Sequence, residues 1–538
     1  MAERTDNLLD RLFPLPSAAP SPLCPGRFPG ITHASKVAVT EVLKANHLER
    51  HSFTNEHGFH NHASHHLLAA FALGAPARVF SAIYEVQMGR TRPASKISKS
   101  ITRETFWYHI GDRTFHEGYL QYFSDVVLKD GAASAIEEYI FAKSANFHDT
   151  AKVPRRMLNR HFAMLYHPMI YLAYGLEFGI PGLVAEGEYY KHVLRDIPDS
   201  ALISGLAQTA VHPLQMPGLI SLSDYEGQDT ATDRTPTASA VTRLTERFSA
   251  LFLHGAQAED KTSVVKRDHP NIGVHAFTVL ARILQDDRFS ASTLGLTPHT
   301  EQVEALPHYS KVGAELSDAI LSYTEDWMVD GADAGHTEQK IEELCWAATL
   351  MYGVCGWGGR KQGFACLAVF NERYVDLLRL SMHGVTSCLF LQTMVTYLSP
   401  SSASLFLRTY FRMLIAWWVS RGRPAFPIRE FYTSVPELPP RLESTAPNAW
   451  LPLIQMSIMH TDDHLCKTQR ALAHFASQYG ERPAGYFPEL TSGERPSLDG
   501  IELLDGTLFL RVAGLTAERV AAAGEDRSLF WDVRGFFV

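Results

Sequence analysis

FHNHASHHLLAAFALGA, residues Phe59–Ala75, opens as a run of imidazoles and closes as an apolar Leu/Ala helix. Leu67, Leu68, Phe71 and Leu73 follow directly on the histidines, in the pattern of a helix with a buried side. If the helix begins in the histidines, His62 and His66 stand one turn apart on a shared face. That is the i, i+4 arrangement by which two imidazoles reach one metal ion. His65 is rotated away, at about 100° per residue. The competing reading is a polar helix start with solvated histidines.

The same periodicity continues outward along the chain. Leu165, Ile170, Leu172 and Leu176 recur at helical spacing, as do Leu344, Ala347, Ala348 and Met351, and Leu405, Phe411, Leu414 and Trp418. No run of βαβ units with glycine turns interrupts them, and there is no internal repeat. The predicted class is mainly α: one large helical domain over residues 33–480 around one long core. Before it lies an arm, residues 1–32, in which Pro14, Pro16, Pro20, Pro22, Pro25 and Pro29 remove donors and favour an extended strap. Gly227–Ala240 reads as a polar surface loop. The segment Glu481–Gly500, with Pro483, Pro488 and Pro496, leads into a C-terminal extension, residues 481–538. There the partial alternation of Ile501–Val512, followed by Ala517–Ala523, predicts a small β element beside a helix.

Composition narrows the function classes. The 538 residues carry 49 Lys+Arg against 58 Asp+Glu, a formal charge of −9, which disfavours a nucleic-acid binder. A hydrophobic content of 46% supplies a core and excludes wholesale disorder. The six cysteines contain no CxxC pair, so neither a zinc knuckle nor a thioredoxin-type site is indicated, and six in 538 residues are too sparse for a disulfide framework. Met1–Asp10 has no apolar h-region, and Leu380–Leu407 is too polar for a membrane span, so a cytoplasmic protein without membrane contact is expected. The unusual figure is 25 histidines, seven of them between His47 and His66.

Three further segments set histidines in chemically suggestive contexts. In Leu165–Phe178, Pro168 suits the first turn of a helix, which puts His167 at its mouth. Glu177 in the same apolar helix needs a partner, because an unpaired buried charge is costly. In Leu380–Ser387, His383 is a single imidazole amid uncharged residues, which a satisfied core histidine would also explain. In Asp462–Leu472, His464 and Lys467 project together at i, i+3. A protonated lysine is repelled by a metal ion, so two readings of Lys467 stand: a surface pair with Asp463 at i, i+4, or a carboxylated lysine, whose anionic carbamate can ligate. No GxGxxG, GxxxxGK[ST] or GxSxG motif is present, and Gly356-Trp357-Gly358-Gly359-Arg360-Lys361 has the wrong order for a P-loop. A conventional flavin or nicotinamide site is therefore disfavoured.

Taken together, these four segments resemble the questin oxidase-like family of fungal and bacterial enzymes. The resemblance is carried by the NHxxHH run with Leu73-Gly74-Ala75, by His167-Pro168 with Tyr174-Gly175-Leu176-Glu177, by Met382-His383 with Thr386-Ser387, and by Asp463-His464 with Lys467 and Arg470-Ala471-Leu472. It spans residues 59–472. The Asp-Phe-Phe that often precedes the Met-His pair stands here as Asp376-Leu377-Leu378, displaced toward the N-terminus, which leaves Lys361 without a role.

The resemblance implies an oxidoreductase that oxidatively opens the quinone ring of anthraquinone-type polyketides in secondary metabolism, a reaction also framed as an NADPH-linked Baeyer–Villiger oxidation. If His62, His167, His383 and His464 converge, they form a nitrogen-rich site suited to Fe(II), with Lys467 as an anionic fifth ligand. Phe59, Tyr174, Trp357 and Met382 are the candidate walls of a flat apolar substrate pocket. The expected partners are an aromatic polyketide and dioxygen. Three hypotheses follow: a non-haem iron oxygenase, a flavin-independent monooxygenase using NADPH, and a helical binding protein with structural histidines.

Overall fold

A computed structural model of the chain describes residues 9–54, 60–94, 99–148, 153–183, 205–212, 214–226, 273–297, 305–355, 380–437, 447–487, 490 and 496–523. The described residues are mainly α-helical, in agreement with the helical periodicity, and their buried apolar side chains form one continuous core. The principal helices are α1 (His33–Glu49), α2 (Ala63–Ala72), α3 (Ala77–Met88), α4 (His116–Asp130), α5 (Ala163–Phe178), α6 (Gly205–Val211), α7 (Ala276–Gln285), α8 (Ala305–Glu325), α9 (Ala334–Gly353), α10 (Leu380–Cys388), α11 (Pro400–Ser420), α12 (Trp450–Met459), α13 (Asp463–Tyr479) and α14 (Thr507–Ala523). Among the described residues, β structure is limited to the isolated bridges Arg50–Pro93 and Phe53–His60. None of these helices is long and apolar enough to cross a membrane.

Four helices define the centre. α2 packs on α5, α5 on α10, α10 on α13, and α13 back on α2. Every residue of α2 and of α5 is buried, which is why both read as apolar around most of the helix rather than along one stripe. Outer helices cover this ring: α1 and α3 lie over α2, α6 lies between α4 and α5, α9 packs on α10, and α14 on α13.

Two connections tie the flanking segments to that centre. Gly30 and Gly74 both have positive φ, 119° and 87°, and a Cβ on Gly74 would lie 2.3 Å from the Pro29 carbonyl oxygen. The glycine pair therefore lets the proline-rich segment run against the end of α2, where Phe28 N–H donates to the Ala72 carbonyl at 2.8 Å. At the other end of the chain, the residues whose alternation suggested a β element instead form a 3-10 turn, Ile501–Leu503, and the helix α14. The apolar positions of Ile501–Val512 satisfy a helix packed on α13, and Gln469 Nε2 donates to the Ala513 carbonyl at 2.8 Å. Gly227–Ala240 lies outside the described residues.

The partner that Glu177 needs is Arg470. Both are fully buried, and the guanidinium Nη2 donates to Oε1, joining α5 to α13. Burial pushes the Glu177 carboxyl up, against the pull of Arg470. Burial alone would lower the Arg470 pKa, but the charge and hydrogen bond of Glu177 together with Tyr174 outweigh it and the net shift is upward. Arg27 of the arm adds a contact to the Glu177 carbonyl at 3.5 Å and stacks over Phe178 at 4.6 Å. Removing one member strands the other charge in a dry core. Glu177→Gln is expected to cost about 3–5 kcal/mol of unfolding free energy, and the double replacement Glu177→Leu/Arg470→Met clearly less. Urea denaturation midpoints at constant m-value check this.

Candidate metal centre

The helix ring delivers one imidazole from each of its members. His62 caps the N-terminus of α2, His167 lies in α5, His383 in α10 and His464 in the first turn of α13. Neighbouring ring centroids are 5.0 Å apart for His62–His167, 4.9 Å for His167–His383, 5.4 Å for His383–His464 and 4.9 Å for His464–His62. The imidazoles close a ring in the same order as the helices. Four imidazoles bound to one ion at about 2.1 Å keep neighbouring centroids about 4.5–5.2 Å apart; three of the observed separations fall in that range and the fourth, His383–His464, lies just beyond it. All four residues are at most 5% exposed.

His167 shows how the local sequence sets one imidazole of the ring. Pro168 has no N–H, and its ring would clash with the carbonyl four residues back, that of Met164. The backbone responds with a left-handed turn at Met164, Leu165 and Tyr166, with φ of 47°, 62° and 65°. Bulky residues occupy this region at a cost of order 1–2 kcal/mol each. The regular helix therefore starts at the histidine, as the position of Pro168 suggested. The Met164 carbonyl accepts a hydrogen bond from His167 Nδ1 instead. A carbonyl can only accept, so the proton sits on Nδ1 and Nε2 keeps its lone pair. An outward N–H to a carbonyl and an inward bare nitrogen is the arrangement of metal-bound histidines. His167 Nε2 lies 2.8 Å from His62 Nε2, close to the ~3.0–3.4 Å that two nitrogens keep on one ion.

The other residues of the histidine-rich segment divide. His66, expected to share a face with His62, instead faces α3, where Gln87 Nε2 lies 3.3 Å from its Nδ1. Burial lowers its pKa to about 4. The i+3 residue takes the inward side: His65 stacks near His62 at 5.5 Å and lies tilted against Tyr171 at 4.1 Å. The expectation that His65 points away fails because α2 packs on α3 through its i+4 side. Neither His65 ring nitrogen has a hydrogen-bond partner although the residue is fully buried. Burial, then the Lys467 charge, holds its pKa well below the usual histidine range. His60 stacks face to face on His167 at 4.3 Å and pairs with His212, Nε2 to Nε2, at 2.8 Å. Burial lowers the pKa of both members of that pair.

Lys467 pairs with Asp463 at i, i+4, Nζ to Oδ2 2.7 Å, but the pair is buried rather than on the surface. Asp463 also faces His62 and His464, and the three form a group whose ligand atoms lie within 4.8 Å of one another. Tyr174 is buried between His65 and Phe390, 5.2 Å and 4.7 Å away, and Met382 is buried beside His383. Phe59 and Trp357 lie outside the described residues, as does Lys361. Sequence reasoning missed His212, which no motif marks, and Asp463 as a neighbour of two imidazoles, although its adjacency to His464 was a signal.

A second group, His51, His116 and Glu117, has comparable spacing. Here the hydrogen bonds point the other way. Phe53 N–H donates to His51 Nδ1 at 2.9 Å. Nδ1 is thus the acceptor, and the neutral ring carries its proton on Nε2, which lies 2.8 Å from Glu117 Oε1. Arg92 Nη2 adds a cation 3.2 Å from the same ring. This group has no lone pair to offer a metal at His51, and the four-imidazole ring does at His167.

The chain belongs to the questin oxidase-like family, whose model matches residues 59–472. It is similar to the questin oxidase of Aspergillus terreus, 23% identical over 476 residues, 87% of this chain and 85% of that protein. A Baeyer–Villiger oxidase of Pestalotiopsis microspora is 22% identical over 454 residues, 83% of this chain and 82% of the relative. The Baeyer–Villiger oxidase AgnL3 of Paecilomyces divaricatus is 29% identical over 164 residues, 30% of this chain and only 34% of that protein. Membership and these names place the chain among the oxidoreductases.

Two outcomes are expected from metal analysis after dialysis. His116→Ala leaves bound metal unchanged. Pro168→Ala restores an N–H that competes for the Met164 carbonyl and lowers metal affinity about 10-fold, the low end of losses from outer hydrogen-bond partners.

Proposed function

We propose that the protein is a non-haem iron-dependent oxygenase that oxidatively cleaves a ring of an anthraquinone-type aromatic polyketide. The observation that carries the iron reading is the closed ring of His62, His167, His383 and His464. The substrate class comes from the relatives named questin oxidase. Nitrogen-rich sites suit Fe(II), and iron held there would supply an open position for dioxygen. The chain's own contribution is geometric. The Met164 carbonyl holds the proton of His167 on the outer nitrogen. Burial keeps His60 and His65 neutral beside the ring. The packed aromatic shell of Tyr171, Tyr174 and Phe390 limits water at the site.

A second reading, an NADPH-dependent and flavin-independent Baeyer–Villiger monooxygenase on the same substrate class, is supported by the names of several relatives. It requires a nucleotide site for which the sequence has no motif. One experiment separates the two. Protein purified without a histidine tag is assayed for iron and for turnover of an anthraquinone, with and without chelator and NADPH. The iron reading expects about one iron per chain, chelator-sensitive turnover, and loss of iron in His383→Ala and His464→Ala. Full activity in metal-free protein, coupled to NADPH consumption, overturns it.

A further inference from the structure

Three atoms converge on a single carboxylate oxygen. Asp463 Oδ2 lies 3.4 Å from His62 Nδ1, 3.2 Å from His464 Nδ1 and 2.7 Å from Lys467 Nζ. Asp463 opens α13 directly after the N-cap Asp462, whose side chain accepts from His464 N–H at 2.9 Å and so fixes the first turn. Asp463 is 2% exposed and His464 fully buried. A carboxylate can only accept. An imidazole that turns Nδ1 toward it places the proton there and leaves Nε2 bare on the opposite side. For His62 that opposite side is where Nε2 meets His167 Nε2 at 2.8 Å.

From this we infer that Asp463 is a shared positioning residue: one oxygen aligns two of the four imidazoles, His62 and His464, and Lys467 clamps that oxygen. The inference rests on the four-imidazole reading of the site. It makes the outer layer uniform. His167 gives its Nδ1 proton to the Met164 carbonyl, and His62 and His464 turn their Nδ1 atoms toward one carboxylate at 3.4 and 3.2 Å, an orientation that leaves Nε2 of three of the four rings facing inward. The competing arrangement uses Asp463 as a ligand, with both Nδ1 atoms turned to an ion. Lys467 opposes it, because its ammonium already occupies the cation's place 2.7 Å from the oxygen.

The test is titration of metal-free protein with Co(II), followed by its visible d–d absorption and by competition with a chelator for affinity. Asp463→Asn keeps the shape and removes the charge. It is expected to bind Co(II) about 10–100-fold more weakly, with the band position and intensity of wild type, since the ligands are the same. Lys467→Gln, which frees the carboxylate from its clamp, is expected to weaken binding in the same direction. Melting of each metal-free variant checks that it folds. Unchanged Co(II) affinity in both variants overturns the inference and leaves the four-imidazole reading standing. A shifted or intensified band in Asp463→Asn overturns it as well, by making Asp463 a ligand. Wild-type protein that takes up no Co(II) overturns the four-imidazole reading itself.

Discussion

Two imidazole nitrogens that each carry a lone pair repel when they face one another in a dry core. His62 Nε2 and His167 Nε2 face one another at 2.8 Å, and the Met164 carbonyl commits the proton of His167 to its far side. Such a contact is stable when His62 Nε2 carries a proton that it donates to His167 Nε2, or when the two nitrogens share a cation. Buried polar groups without partners each cost on the order of 1–3 kcal/mol. A cation held between the four rings would satisfy the nitrogens that face it at a single point. The fold around the ring supplies the burial that makes this constraint strict.

The layers outside the ring follow from the same need. Each ligand helix must be held at a fixed height and rotation, because the imidazoles close in the order in which the helices pack. The Glu177–Arg470 pair fixes α5 against α13 a few turns beyond His167 and His464. The kink ahead of Pro168 stores strain directly beside His167, where the surrounding packing over-determines the backbone. The proline-rich arm and α14 then cover α2 and α13 from outside. The flanking segments are thus part of the support of the four histidine-bearing helices.

Much of this was legible in the sequence, for specific reasons. Helical periodicity in Leu165–Leu176 and Leu344–Met351 reports burial of whole helix faces, a local property. Pro168 marks its helix start by sterics alone, and Glu177 announces a partner because charge in an apolar helix must be paired. The isolated histidines, His167, His383 and His464, stood out against apolar neighbours. What was hidden depends on contacts between distant segments. Whether His65 or His66 turns inward is decided by Gln87 on α3, not by anything within the histidine run. His212 joins His60 across 152 residues. Alternation in Ile501–Val512 misled because a short apolar pattern fits a strand and a packed helix equally, and α13 supplied a surface that favours the helix.

Lys467 shows how one residue's two readings exclude each other. Carboxylation requires a neutral amine, whereas an ion pair requires a charged one. In the structure the amine lies 2.7 Å from Asp463 Oδ2, so the carboxylate stabilises the ammonium. A carbamate in the same place would put two anions side by side in a dry core, and only a cation between them would offset the repulsion. For Lys467 to become a ligand, Asp463 would have to release it and keep its hold on His62 and His464 unaided. The state of this one side chain therefore decides how many anions stand beside the ring, and with that how strongly the site favours a divalent cation over a proton.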